Sequence, residues 1–332
     1  MLSLRGVFWA GICAVFLSTG VCRGTAALAA SAEEAFWRAC SSGTPRDVRA
    51  AIEAGADVNA KDEEDWTGLM LAARYNGNPE VLSVLIKAGA DPNATKQDGM
   101  SALMLAACGN SNPKALSVLI DSGADVNARD NDRWTALMCA ARYNGNPEAL
   151  SVLIDSGADL GAKDKKNSAT ALMHAASGSS SPEVLSVLID SGADVNEKDK
   201  DGWTALMYAA MNNSSVKVLS VLINFGADVG IKSTSGMTAL ICAAQYNSSP
   251  AVLSALIDAG ADVNAKRKTG ATALMLAAEH NSNPEVIPIL LNAGADPKAR
   301  DYDGDGVLSY ATKNKALKGT PTLAQLIKAV NR

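Results

Sequence analysis

The stretch WTGLMLAARYNGNPEVLSVLIKAGADPNATKQDG, residues 66–99, contains one complete structural unit of this chain. Thr67 precedes a run of helix-forming residues, and its hydroxyl can accept one of the free N–H groups at a helix start. The segment YNGNPE then breaks the pattern. Asn78 is a second helix cap, and Pro79 stands at the first helical position, where its missing N–H does no harm. The unit is therefore predicted to hold two helices joined by a short loop.

The second helix has a defined inner face and a defined end. Leu82, Leu85 and Ile86 lie on one side at helical spacing. Gly89 is predicted to end the helix in the left-handed conformation that glycine adopts without strain. Residues 90–99 then form an extended excursion with a turn at its end.

The unit recurs along the chain. Further copies begin at Met100, Trp134, Ala169, Trp203, Met237 and Ala271. The spacing is 34 residues except between Trp134 and Ala169, where it is 35. The extra residue lies in AKDKKNSA, a loop in which an insertion costs little.

Both ends of the repeated region are modified copies. Residues 32–65 keep the register but carry charged residues at apolar positions, which predicts an N-terminal cap. Residues 305–332 are lysine-rich and predict a C-terminal cap. With the internal repeats in 66–304, the domain 31–332 contains about nine repeats. Such an array is stabilised by the interfaces between neighbouring repeats rather than by one core.

The first 30 residues differ in character from the rest. Arg5 precedes the apolar run GVFWAGICAVFL, and Ala27 and Ala29 form an A-x-A cleavage signal. Residues 1–30 are therefore predicted to be a Sec-type signal peptide, and an uncleaved anchor is the alternative. Cleavage implies a periplasmic or secreted protein, bacterial in character, that is not inserted in a membrane. The net charge of −5 and the absence of basic runs argue against nucleic-acid binding.

The repeated strings resemble the ankyrin repeat family. The resemblance rests on the GADVNAKD-type strings that begin at Gly55, Gly123, Gly192 and Gly260, and on the strings of the DG-x-TALMxAA type. It covers residue 32 to the C-terminus and implies an all-α repeat solenoid of helix pairs with β-turn excursions. One departure is that T-P-L-H becomes T-A-L-M, so the inter-repeat hydrogen bonds of that histidine are expected to be lost. The residues in its column are Met70, Met104, Met138, Met173, Met207 and Met275.

Few residues are suited to catalysis. His174 and His280 are the two histidines of the chain, and three repeats separate them, which is roughly 30 Å at a helix spacing of about 10 Å. This excludes a His pair, and we expect no enzyme and no cofactor. Cys40, Cys108, Cys139 and Cys242 occupy repeat positions that predict no disulfide.

The resemblance places a binding surface on the concave side, at the residue before each TALM and the two residues after each AA. Aromatic residues, Met and Arg are enriched at interface centres. The candidate partner-binding residues are Trp66, Arg74, Tyr75, Met100, Trp134, Arg142, Tyr143, Trp203, Tyr208, Met211, Met237 and Tyr246. The alternative is that the tryptophans only fill space over the turns and were copied by duplication.

The C-terminal loop resembles part of a calcium site. Asp301, Asp303 and Asp305 have the spacing of the first carboxylates of an EF-hand loop. However, Asp301 and Asp303 align with Asp199 and Asp201 of an ordinary repeat turn, and Thr312 stands where a bidentate Glu belongs.

The leading hypothesis is an exported, monomeric, non-enzymatic scaffold that binds another protein. The alternative is a calcium-linked structural or adhesive module that uses the 301–312 loop.

Overall fold

The computed structural model describes residues 25–178 and 181–332 as consecutive pairs of α-helices. The pairs are α1 (Thr25–Ser42) and α2 (Pro45–Glu53), α3 (Gly68–Tyr75) and α4 (Pro79–Lys87), α5 (Ala102–Gly109) and α6 (Lys114–Asp121), α7 (Ala136–Tyr143) and α8 (Pro147–Asp155), α9 (Ala171–Gly178) and α10 (Pro182–Asp190), α11 (Ala205–Asn212) and α12 (Val216–Asn224), α13 (Ala239–Tyr246) and α14 (Pro250–Asp258), α15 (Ala273–His280) and α16 (Val286–Asn292), and α17 (Val307–Ala311) and α18 (Pro321–Val330). These nine pairs among the described residues confirm the repeat solenoid.

The predicted caps begin and end the helices. The Thr67 hydroxyl accepts the N–H of Met70 at 3.3 Å, and the Asn78 side chain accepts the N–H of Glu80 at 2.9 Å. Gly89 has a φ of +97° and follows α4. Because these signals are local, they place the helix ends correctly from the sequence.

The first helices stack in one layer and the second helices in another. In the first layer each helix packs against the first helices before and after it, as α5 does against α3 and α7. The alanine pairs of this layer are fully buried, and so is the methionine column that replaces the family's histidine. Small alanines allow the helices to approach closely, and methionine fills the remaining irregular space.

A row of asparagines forms hydrogen bonds between repeats. Asn110 Nδ2 donates to the carbonyl oxygens of Ala73 and Asn76, at 2.9 and 3.0 Å. The same two-bond pattern starts from Asn76, Asn144, Asn247 and Asn281. These asparagines follow the first helices and link neighbouring repeats without any contribution from the methionine column.

A second asparagine row joins the far ends of the repeats. Asn93 Nδ2 donates to the carbonyl of Gly123 at 2.9 Å, while Asn93 Oδ1 accepts the N–H of Asp125 at 2.9 Å. Equivalent pairs of bonds start from Asn59, Asn127, Asn196 and Asn264. Neighbouring repeats that carry both asparagines are therefore joined at two separate places.

The turns at the ends of the excursions, which we call the turn tips, form a continuous row along the solenoid. Lys165 N donates to Asp132 O at 2.8 Å, Lys200 N to Asn167 O at 3.0 Å, and Lys268 N to Ser235 O at 2.9 Å. Bonds of this kind join neighbouring tips from Glu64 to Tyr302. The excursions are therefore aligned side by side.

The predicted signal peptide lies outside the described residues except for residues 25–30, where α1 begins. Along the described part of the chain, no helix combines the length and the apolar character needed to cross a membrane. The four cysteines considered for disulfides are free. Cys108 and Cys139, which the sequence assigned to different columns, are nevertheless hydrogen-bonded through their side chains.

Candidate partner-binding surface

The column of residues before each helix cap is only partly exposed. Met100, Trp134 and Trp203 are half-buried, as a surface column requires. Trp66 and Met237 are buried, with 6% and 5% of their surface exposed, so their predicted exposure was wrong. The next tip covers Trp66, since Lys96 Nζ lies 5.5 Å from the centre of its ring. Met237 is part of the continuous core.

A tyrosine column at the ends of the first helices is the most exposed aromatic feature of the candidate surface. Tyr75, Tyr143 and Tyr246 expose 49%, 61% and 55% of their surface. They occupy the same repeat position and were predicted to be exposed. Because they stand two and three repeats apart, they offer separate points of aromatic contact along one face.

Tryptophan and arginine hold two of the three tyrosines, Tyr75 and Tyr143, in place. Tyr143 stacks on Trp134 with ring centres 5.9 Å apart, and Tyr75 stacks on Trp66 at 6.4 Å. The guanidinium carbons of Arg142 and Arg74 lie 5.7 and 6.0 Å from the neighbouring tyrosine rings. The sequence grouped these residues correctly, and the structure shows that the tryptophan supports the tyrosine from below.

His174 completes the cluster around Trp134, and the sequence did not assign it there. Its ring lies 4.2 Å from that of Trp134, and its Nε2 lies 3.0 Å from Asp164 Oδ2. Burial lowers the pKa of His174 and Arg142 lowers it further, while Asp164 acts in the opposite direction. A neutral, immobilised imidazole therefore extends the aromatic surface into the next repeat.

Tyr208 occupies the same repeat position as His174 and makes the corresponding contact. Its hydroxyl donates to the buried carboxylate of Asp199 at 2.7 Å. Its ring lies 5.6 Å from that of Trp203, and both rings are half-buried. Met211, one turn further along α11, is also half-buried. The predicted residues Trp203, Tyr208 and Met211 thus form a second, less exposed part of the same face.

Asp301 has a structural role in the loop that was considered as a calcium candidate. Asp301 Oδ1 accepts the N–H groups of Asp303 and Asp305, at 3.0 and 2.8 Å, and Oδ2 accepts the hydroxyl of Tyr310 at 2.6 Å. These bonds are those of Asp199 in the repeat at 169–202. Both oxygens of the Asp301 carboxylate therefore hold the turn together, as in an ordinary repeat.

The described residues contain no group of three or more His, Cys, Asp or Glu side chains placed to hold a metal. His174 is paired with Asp164, whereas His280 lies beside Glu279, at 3.3 Å. The two histidines belong to α9 and α15 and serve separate pairs. The two histidines therefore do not share a site.

The family assignment follows from sequence comparison. A model of ankyrin repeats in groups of three matches residues 16–96, 36–130, 69–164, 138–233 and 215–301. The chain belongs to the ankyrin repeat family. Comparison with curated proteins gives no match. Ankyrin repeats are protein–protein interaction modules and in general act as scaffolds without catalysis, which agrees with the surface described above.

Two features of the site were visible in the sequence but not interpreted. Asparagine recurs as the first Asn of the YNGN-type motifs, as at Asn76 and Asn144, and this spacing indicated an inter-repeat bond. A His or Tyr stands nine or ten residues after an Asp, as in Asp164 and His174, Asp199 and Tyr208, and Asp301 and Tyr310. This pairing within repeats was the available signal for the role of His174.

Proposed function

We propose that this ankyrin repeat protein binds a partner protein through its inner face, with the tyrosine column Tyr75, Tyr143 and Tyr246 at the centre of the contact. The observation that carries the proposal is the exposure of about half of each ring in one aligned column. Tyrosine supplies contact area and a hydroxyl at low entropy cost, which suits a binding surface. The stacked tryptophans and arginines reduce that cost further at Tyr75 and Tyr143 by fixing the rings.

The proposal includes export, with residues 1–30 as a cleaved signal peptide and a monomeric mature protein in the periplasm or outside the cell. The support is the apolar run after Arg5 and the A-x-A signal at Ala27. N-terminal sequencing of protein recovered from a bacterial periplasmic fraction tests it. A full-length protein retained in the cytoplasm would contradict export. Light scattering on the purified protein tests the monomer.

The binding surface is tested by affinity capture from the extract of the compartment in which the protein is found. The variant Tyr143→Ala with Tyr246→Ala removes two exposed rings and is expected to keep its stability, because surface substitutions change it by less than about 0.5 kcal/mol. The matched control is Phe225→Ala with Tyr302→Ala, which removes two exposed rings elsewhere. We expect the first variant to lose the partner captured by the wild type and the control to retain it. Equal capture by both variants would exclude the tyrosine column.

A further inference from the structure

The charges on the turn tips are unevenly distributed along the solenoid. The segments concerned are 163–168, 198–202, 232–236 and 266–270, the tips of four consecutive repeats. The exposed lysines within them are Lys165, Lys166, Lys198, Lys200, Lys232, Lys266 and Lys268. We call these seven residues the basic ridge. It belongs to a chain whose formal net charge is −5, so the positive charge is concentrated locally.

Acidic residues in the same tips do not neutralise the ridge. Asp164 and Asp199 are buried, at 3% and 7% exposure, and are bonded to His174 and Tyr208. The four tip segments all lie in the described part of the chain, and Asp201 is the one acidic residue in them that is exposed. The ridge therefore presents a row of lysines with a single opposing charge.

The tips are held side by side, so the lysines act as one surface. Lys165, Lys200 and Lys268 each donate their backbone N–H to the preceding tip, at 2.8, 3.0 and 2.9 Å. Thr234 makes the same bond to Asp201 at 2.8 Å. With a helix spacing of about 10 Å, four tips extend over roughly 30 Å.

The excess of positive charge ends at both sides of the ridge. Toward the N-terminus, the tips at 129–133 and 95–99 carry equal numbers of acidic and basic residues, and toward the C-terminus, Asp303 and Asp305 are exposed in the next tip. A long polyanion that continued past the ridge would gain no net attraction on the first side and would be repelled by carboxylates on the second. A chain of roughly nine extended residues spans about 30 Å. The charges thus set both the sign and the length of a fitting ligand.

We infer that the basic ridge binds a short, extended, acidic segment of a partner polypeptide. The inference deepens the proposed function, on which it rests, by giving the chemistry of the partner. A peptide fits better than a nucleic acid because Trp203 lies three residues after Lys200 and offers an apolar surface beside the charges. The bounded length also disfavours a continuous phosphate backbone, which carries charge at every residue.

The test uses a fluorescein-labelled peptide of ten residues in which Glu alternates with Ser, followed by fluorescence anisotropy with the full chain. We expect binding that weakens at least tenfold when NaCl rises from about 50 to about 300 mM, because salt screens exposed charges. A peptide with Gln in place of Glu is expected not to bind. A peptide of twenty residues is expected to gain less than twofold, because the tips beyond the ridge carry no excess of positive charge.

The location of the peptide site is tested with a triple variant that combines Lys165→Gln, Lys200→Gln and Lys268→Gln. This variant is expected to bind the acidic peptide at least tenfold more weakly than the wild type. The matched control combines Lys87→Gln, Lys114→Gln and Lys217→Gln, which removes three exposed lysines from second helices. It is expected to bind within twofold of the wild type. Circular dichroism checks that both variants keep their helix content.

Three results would overturn the inference. They are equal loss of binding in the ridge and control variants, absence of binding by the acidic peptide, and tighter binding of a ten-nucleotide oligothymidylate than of the peptide. If the peptide fails while the Tyr143→Ala, Tyr246→Ala variant still loses its partner, the ridge inference is wrong and the proposed binding face stands. Carbodiimide cross-links from the peptide to Lys165, Lys200 or Lys268, and not to Lys87, would support the assignment independently.

Discussion

The side-chain amide of Asn247 donates hydrogen bonds to the carbonyl oxygens of Asn213 and Ala210, both at 3.0 Å, in the preceding repeat. Its Oδ1 accepts the N–H of Ser249 in its own repeat at 2.9 Å. Asn247 is buried, so none of these partners is replaced by bulk water when the side chain is removed. One side chain thus fixes both the loop between two helices and the interface between two repeats.

Asn247→Ala is expected to lower the free energy of unfolding by about 2–3 kcal/mol, because it leaves buried carbonyls without donors. Urea denaturation followed by circular dichroism measures this. The matched control is Asn224→Ala, at the exposed end of α12, which is expected to change stability by less than about 0.5 kcal/mol. Equal effects of the two substitutions would show that the asparagine row does not hold the repeats together.

Tyr208→Phe removes the hydroxyl that donates to Asp199 and leaves a buried carboxylate oxygen without this donor. We expect a loss of about 1–3 kcal/mol in the free energy of unfolding. Tyr246→Phe is the matched control because that ring is 55% exposed, and no change beyond about 0.5 kcal/mol is expected. A Tyr208→Phe variant as stable as the control would mean that water replaces the hydroxyl.

His174 is expected to make stability depend on pH. Burial lowers the pKa of His174 in the folded protein, whereas an unfolded histidine titrates near pH 6.5. Between these two pKa values the unfolded chain binds more protons, so the free energy of unfolding rises with pH through that window. Lowering the pH from about 7.5 through 6.5 should therefore destabilise the wild type.

The measurement compares urea denaturation of the wild type and His174→Gln at several pH values. The wild type should lose more stability than the variant as the pH falls below about 6.5. The emission of Trp134, whose ring lies 4.2 Å from the imidazole, should change over the same pH range in the wild type. The opposite difference between the two proteins would mean that Asp164 stabilises the protonated imidazole and outweighs burial.

Gly236→Ala is expected to disrupt the row of hydrogen-bonded turn tips and to lower the stability of the protein. Gly236 has a φ of +81°, and an added Cβ would lie 2.8 Å from the backbone nitrogen of Lys268. The left-handed conformation alone costs about 1–2 kcal/mol for a residue with a Cβ, and the contact with backbone adds to this. Gly145→Ala, where an added Cβ meets nothing within 4 Å, is the control. Thermal unfolding of both variants should show a clear loss only for Gly236→Ala.

Among the four free cysteines, Cys108 is expected to react first with iodoacetamide. The hydrogen bond from Cys139 and the nearby Arg74 lower the pKa of the Cys108 thiol, and its side chain is half-buried. Burial raises the pKa of Cys40 and of Cys242 to about 12, so few thiolates form there. Peptide mass mapping during alkylation gives the order, and labelling in urea should remove the differences. Earlier labelling of Cys242 would contradict the prediction.

Much of the fold could be predicted because its signals are local. Thr67, Asn78 and Gly89 act on backbone groups within a few residues of themselves, so their effect does not depend on the rest of the chain. The candidate surface was harder to predict. Trp66 and Trp134 stand in nearly identical sequences, yet Trp66 is buried under Lys96 while Trp134 is half-buried beside His174. Each environment is supplied by a neighbouring tip or helix.

The sequence by itself determined the repeat period, the helix pairs, the glycine turns and the residue types of the binding columns, because these depend on short-range chemistry and on spacing. Only the tertiary structure decided which columns are exposed, how Asn247 bonds to the preceding repeat, and which groups bond to the Asp301 carboxylate. Those properties depend on atoms that lie several residues or a whole repeat away along the chain. The burial and the hydrogen bonds of a side chain are fixed only when folding brings those atoms next to it.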